Sequence, residues 1–203
     1  PFEGPAQLML LLGTILLAGV FLTARMARRY GAELRGAPAG WVEESNFGER
    51  VRALTRKGEG ATLEFKSTVR RNLKTGKNGK EIELAWLKAV VAFMNSDGGT
   101  VVIGVADDGS VCGTEADEFE NDDRCRLHLK NLVNQHIGAE FSRLVRLQVQ
   151  SVDGNRVVIV ECERSPKPVF LRWHDKDAFY IRSGPSSVEL SSRQVLEYVD
   201  QRR

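Results

Sequence analysis

The sequence is short of cysteine. Cys112, Cys125 and Cys162 are the only three, and none sits in a CxxC pair. An odd, sparse set argues against a disulfide framework and fits a reducing compartment. Charge of one dominant sign is also missing. Lys and Arg number 29 against 27 Asp and Glu, a formal net charge of +2, so composition alone implies no nucleic-acid partner. GxxxxGK[ST] is absent, which argues against a P-loop even though Lys77 and Lys80 lie close to glycines. Cys125-x-x-His128 has no matching pair at a usual spacing, so those residues read as core rather than as half a zinc site. The sequence contains no internal repeat and no low-complexity tract.

Between Pro5 and Ala24 charge is missing altogether. This run is rich in Leu, with Met, Ile, Val and Phe, and is apolar on every face. Twenty residues at about 1.5 Å each reach about 30 Å, the thickness of a bilayer core. A secretory signal carries its positive charge before the apolar run. Here only Glu3 precedes it, while Arg25, Arg28 and Arg29 follow. The positive-inside rule then predicts residues 1–24 as a transmembrane helix with a short outer tail and everything after Arg25 in the cytoplasm. The first residue is proline, which reads as a processed chain or as the tail of a longer one. Residues 25–46, rich in Gly, Ala and charge and interrupted by Pro38, read as a juxtamembrane linker. Residues 47–203 read as the folded domain.

Within that domain one stretch organises the rest. Ile82, Trp86, Ala89, Val90 and Phe93 recur at helical spacing. Leu84, Leu87, Val91 and Met94 add a second stripe, so both sides of this helix should be covered. Asn95 and the Gly98-Gly99 pair stop it. Thr100 to Val105 is a nearly continuous β-branched run, suited to a central strand buried on both faces. Asp107-Asp108-Gly109 closes it as a turn.

Around this stretch, Phe47, Val51 and Leu54 suggest a short helix, with Asn46 a candidate N-cap. Thr62 to Lys66 alternates as a strand with Leu63 and Phe65 on one face and Glu64 and Lys66 on the other. From Lys66 to Lys80 the chain carries six cations and no acidic residue. This run reads either as a basic loop that grips phosphates or as a solvated loop. Asn121 to Ile137 reads as a helix with Cys125, Leu129, Leu132, Val133 and His136 on its apolar side. Leu144 to Ser151 and Val157 to Glu163 flank a hairpin turn at Asp153-Gly154-Asn155. Pro166 and Pro168 delimit a short edge strand ending near Arg172, and Phe179 to Arg182 is a further strand. Ser191 to Gln194 fits a capping box opening a last amphipathic helix. The fold class is α+β, a mixed sheet with packed helices.

Phe93-Met94-Asn95-Ser96-Asp97-Gly98-Gly99-Thr100 with Ile103-Gly104-Val105-Ala106-Asp107-Asp108-Gly109 resembles the core motif of the Schlafen AlbA-type domain. Gly58-Glu59-Gly60-Ala61-Thr62-Leu63-Glu64-Phe65-Lys66 resembles its opening motif. Lys167-Pro168-Val169-Phe170 and Tyr180-Ile181-Arg182-Ser183-Gly184 resemble its closing motifs. The resemblance covers about residues 47 to 198. It implies that Glu59, Glu64 and Asp108 bind a divalent metal and cleave structured RNA. Three convergent carboxylates suit Mg²⁺ or Mn²⁺, and such an ion activates water and stabilises charge on a scissile phosphate. Lys66, Arg70, Arg71, Lys74, Lys77 and Arg182 are the expected nucleic-acid contacts. The chain departs from the family's Gly-Val-Asp-Asp by placing Ala106 at the first aspartate.

Three functions remain open from the sequence. They are a membrane-tethered, metal-dependent endoribonuclease; a non-catalytic module for nucleic acid or nucleotide; and a structural or sensing domain of a membrane complex. In vertebrate Schlafen cores two related lobes face each other across a positive groove. This chain shows one lobe, so the resemblance implies a homo-oligomer or a larger membrane assembly.

Overall fold

The computed structural model describes residues 47–174 and 176–201. The predicted membrane helix at residues 5–24, the linker at 25–46 and the Asn46 cap lie outside them. Among the described residues no helix is long and apolar enough to cross a membrane.

Among the described residues, four α-helices and nine strands form the fold. Helix α1 spans Phe47–Lys57, α2 spans Lys80–Asn95, α3 spans Asp122–Val133 and α4 spans Ser192–Gln201. Strands β1 (Leu63–Lys66), β4 (Gly99–Ile103), β5 (Val145–Val152) and β6 (Asn155–Cys162) build one mixed sheet. Its order is β1-β4-β6-β5, with β1 and β4 parallel and the other two pairings antiparallel. The β-branched run thus occupies an interior position, as expected. A separate antiparallel sheet holds β7 (Leu171–Trp173), β8 (Lys176–Ser183) and β9 (Ser186–Leu190), in the order β7-β8-β9. The basic run closes into a small hairpin of β2 (Arg71–Asn72) and β3 (Lys77–Asn78).

The mixed sheet is covered on both faces. Leu63, Phe65, Val102, Val157 and Ile159 pack against Phe47 and Val51 of α1. Val101, Ile103, Val149, Val158 and Val160 face the other core, with α2 and α3. From Trp86 to Asn95 every residue of α2 except Lys88 is buried. Two apolar stripes on one helix therefore meant two partners. One is the mixed sheet, and the other is the second sheet, whose Leu171 and Tyr180 join the same core.

The glycine pair after α2 answers a packing demand. A Cβ on Gly99 would sit 2.4 Å from the Phe93 ring, and one on Gly98 would sit 2.7 Å from the carbonyl oxygen of Cys162. Gly98 also adopts φ +78°, where a side chain is strained. At the β5–β6 turn Asp153 and Gly154 both take positive φ, 52° and 85°, as a tight hairpin requires.

Three expectations need correction. The mixed sheet is present as expected, but the strands after Cys162 do not join it: the chain leaves it through a segment with prolines at 166 and 168, which cannot donate to a ladder, and forms a separate sheet. The helix from Asn121 does not run evenly to Ile137. Asn121 caps it by accepting from the Arg124 N–H, but Asn134–Gly138 widens into a π turn. That turn brings His136 out to the Arg172 carbonyl, 2.8 Å from Nδ1, rather than into the core. Strand β9 was not anticipated, because Ser186–Leu190 carries no buried side chain.

Candidate nucleic-acid interface

Glu64 stands on β1 on the face opposite Leu63 and Phe65, as the alternation requires. Its two carboxylate oxygens each meet a cation. Oε1 is 2.5 Å from Lys66 Nζ and Oε2 is 2.9 Å from Arg182 Nη1. Arg182 reaches it from β8 with its side chain only 2% exposed. That guanidinium lies 4.7 Å from the Phe93 ring centroid and donates from Nη2 to the Gly60 carbonyl at 2.6 Å. Its Nε is buried without a hydrogen-bond partner. Its backbone N–H donates to Ser96 Oγ at 2.9 Å. The opening, core and closing motifs therefore meet at this one arginine.

Glu59 is exposed and tied to the same turn. Its Oε1 accepts the Phe65 N–H at 2.7 Å. Asp108 is engaged elsewhere, where its Oδ1 accepts from the Ser110 N–H at 2.9 Å and the Ser110 hydroxyl at 2.6 Å. The Ser110 hydroxyl, and then its N–H, hold the Asp108 carboxyl below the usual range. Such a pattern is that of a turn carboxylate. Among the described residues no group of three or more His, Cys, Asp or Glu side chains is placed to hold a metal ion. The structure brings Glu59 and Glu64 to one turn and leaves Asp108 in its own loop. The donor set as arranged does not fit a divalent ion, because Glu64 already faces two cations.

The six cations of the basic run divide into two groups. Lys66 is paired with Glu64. Arg70 donates from Nε and Nη2 to the Asp117 carbonyl, at 3.0 and 2.7 Å, and its guanidinium covers the Phe119 ring at 4.1 Å. Arg71 Nη1 is 2.9 Å from Glu118 Oε2. Lys74 at the hairpin turn, Lys77 on β3 and Lys80 at the first position of α2 are exposed.

Two residues matter more than their sequence position suggested. Asp117 is fully buried, yet its carboxylate accepts three backbone N–H groups at 2.8 Å each, from Val69, Arg70 and Arg71. It fixes the root of the hairpin from 46 to 48 positions away. Asn95, read as a helix stop and as part of the core motif, is a cross-link between α2 and the second sheet. Its amide donates to the carbonyls of Val169 and Tyr180 at 2.8 and 3.0 Å, and its Oδ1 accepts the Val169 N–H at 2.9 Å. The Tyr198 hydroxyl of α4 donates to the Asn95 carbonyl. A polar residue at the end of an otherwise apolar helix was the available signal for Asn95. Asp117 left no local signal.

A family model described as Schlafen, AlbA_2 matches residues 59–191. No curated protein matches the chain. Among solved structures, the DIP2311 protein of Corynebacterium diphtheriae is 20% identical with a TM-score of 0.51, over 74% of this chain and 31% of that one. The chain thus spans about a third of the length of that protein. The N-terminal domain of a RecG-related protein of Nitrosomonas europaea is 18% identical with a TM-score of 0.45, over 71% of this chain and 92% of that one.

Proposed function

We propose, for a chain that belongs to the Schlafen AlbA_2 family, that the domain binds nucleic acid through the exposed lysines of its β2–β3 hairpin. The division of the basic run carries this reading. Lys66, Arg70 and Arg71 are engaged by acceptors of the fold, while Lys74 and Lys77 on the hairpin and Lys80 at the first position of α2 are left exposed beside a fixed root. Cations with no folding duty, held on a rigid base, suit phosphates, whose recognition is electrostatic and indifferent to sequence. RNA is the expected strand, from the resemblance. The experiment is a binding titration of the chain with single- and double-stranded RNA and DNA, beside Lys74→Ala/Lys77→Ala/Lys80→Ala. Equal binding by wild type and variant would end the reading.

Cleavage is the second reading, and one observation favours it: Glu59 and Glu64 flank the single turn gripped by Arg182. The carboxylate arrangement described above does not cradle Mg²⁺ or Mn²⁺, so no catalytic step is assigned to either ion. Incubating RNA with each ion, beside Glu59→Ala, Glu64→Gln and Asp108→Ala, decides the matter. Intact RNA in the wild-type lane rejects cleavage and leaves the binding reading standing. The membrane anchor at residues 5–24 and the homo-oligomer belong to the same proposal. Carbonate extraction of membranes tests the first, and light scattering on the detergent-solubilised chain tests the second.

A further inference from the structure

A depression of about 320 Å³ opens where the root of the hairpin meets α3, lined by Arg70, Phe119, Arg124, Leu127, His128 and Asn131. Its two carboxylates, Glu118 and Glu120, are each matched by an arginine. Glu118 Oε2 lies 2.9 Å from Arg71 and Glu120 Oε2 lies 3.7 Å from Arg124. Arg70 alone meets no carboxylate, and its Nε and Nη2 are spent on backbone carbonyls, so the wall offers few donors to a bare phosphate and suits a ligand with polar edges.

The groups left available point to a flat ring. Arg70 has Nε and Nη2 occupied in its own plane by the Asp117 carbonyl, and one face rests on Phe119. What such a guanidinium still offers is Nη1 at its edge and its other face, which stacks on planar π systems. Leu127 is 48% exposed and supplies an apolar surface beside it. His128 is pinned by Glu83 at 2.8 Å, with its ring 5.3 Å from that of Phe119, so this wall is held from behind. Asn131 is exposed and carries a donor and an acceptor side by side, the pattern that pairs with a base edge.

We propose that this depression takes one unstacked nucleobase of a single strand whose phosphates lie on Lys74, Lys77 and Lys80. The proposal rests on the nucleic-acid reading above and adds a base subsite to it. Arg70 adjoins Arg71 of β2, so the subsite lies at the root of the hairpin that carries Lys74 and Lys77, and Lys80 opens α2 beside that root. A base inside a duplex cannot enter, so single strands and loops are the ligands of this subsite.

The test compares two labelled single strands of equal length, one carrying bases and one abasic throughout, on the full chain. Wild type should bind the base-bearing strand about tenfold more tightly, the scale of one base stacked on a protein surface. Leu127→Ala and Asn131→Ala, both at exposed positions and checked by thermal unfolding, should erase most of that preference. Affinity for the abasic strand should stay unchanged in both. The triple lysine variant should weaken both strands alike. A preference that survives Leu127→Ala and Asn131→Ala overturns the subsite, as does an equal loss on the abasic strand. Wild type that binds both strands equally overturns the subsite alone. Wild type that binds neither overturns the subsite together with the reading beneath it.

Discussion

The Arg182 guanidinium and the Glu64 carboxylate meet at 2.9 Å with side-chain exposures of 2% and 15%. A pair this deep has different consequences from a surface bridge. Removing Glu64 takes the only carboxylate from the buried Arg182, so Glu64→Ala should cost about 3 to 5 kcal/mol. Arg182→Ala should cost less, because Lys66 still pairs with Glu64 at 2.5 Å. The double variant should lose less than the sum. Chemical denaturation of the three proteins measures this, and strict additivity would show that the two side chains do not interact. The same result governs any activity assay. A Glu64→Ala variant without activity is first a destabilised protein, so Glu64→Gln is the informative variant.

Asn95 makes two hydrogen bonds to Val169, just before β7, and one to Tyr180 of β8. Asn95→Ala leaves the Val169 N–H and two carbonyls unsatisfied, at about 1 to 3 kcal/mol for each buried group left without a partner. The second sheet should loosen before the first. Hydrogen exchange should speed up at Val169 and across β8 while β4 and β6 stay protected. Uniform loss of protection would contradict this.

The lysines should set the salt dependence of binding. Each phosphate contact on a single strand adds about 0.7 to the slope of log K against log salt. The triple lysine variant should flatten that slope by about 2 if all three lysines engage. Arg71→Ala should change it much less, because Glu118 already holds that guanidinium. Equal slopes in the wild type and the triple variant would return the hairpin to a solvated loop.

Tyr180 should titrate late. Burial first, and then its hydroxyl bond to Glu189 at 3.0 Å, push its pKa up to about 12. Because the folded value lies above the ordinary value near 10, the stabilisation is complete below about pH 10. It is lost as pH rises from there through about 12. Ultraviolet titration of the wild type beside Tyr180→Phe isolates this residue. A Tyr180 that ionises near pH 10 would mean the hydroxyl is not enclosed.

Thiol chemistry offers a further check on packing. Cys112 is exposed, while Cys125 and Cys162 are buried. Burial pushes the Cys125 thiol up to about 12 and that of Cys162 further up. Since the thiolate is the reactive form, a polar thiol reagent at pH 8 should label Cys112 alone until the protein unfolds. Labelling of Cys125 in the native state would place the α3 packing in error.

Periodicity made the centre of the fold legible. The two stripes on α2 required two apolar partners, and the β-branched run required a covered strand. Both requirements follow from side chains a few positions apart. What stayed hidden depends on residues far apart in the chain. The partner of Glu64 is 118 positions away in Arg182, and the clamp on Arg70 comes from Asp117. A run of cations looks uniform in sequence until distant acceptors select some of them. Thus Arg70 and Arg71, two of the expected contacts, are also tied to acceptors at Asp117 and Glu118, a division that no local feature of the run shows. Strand β9 was hidden for a different reason, since a strand with no buried side chain has no hydrophobic alternation to show.

Asp117 makes the basic hairpin a cantilever. One buried carboxylate bolts the beam at Val69, Arg70 and Arg71, and nothing in the core depends on what the free end carries. The segment from Leu73 to Gly76 is exposed throughout, so it can be lengthened, shortened or recharged without consulting the fold. A change of ligand preference in this protein can therefore arise by rewriting a handful of tip residues, while a single change at Asp117 would unmoor the whole arm.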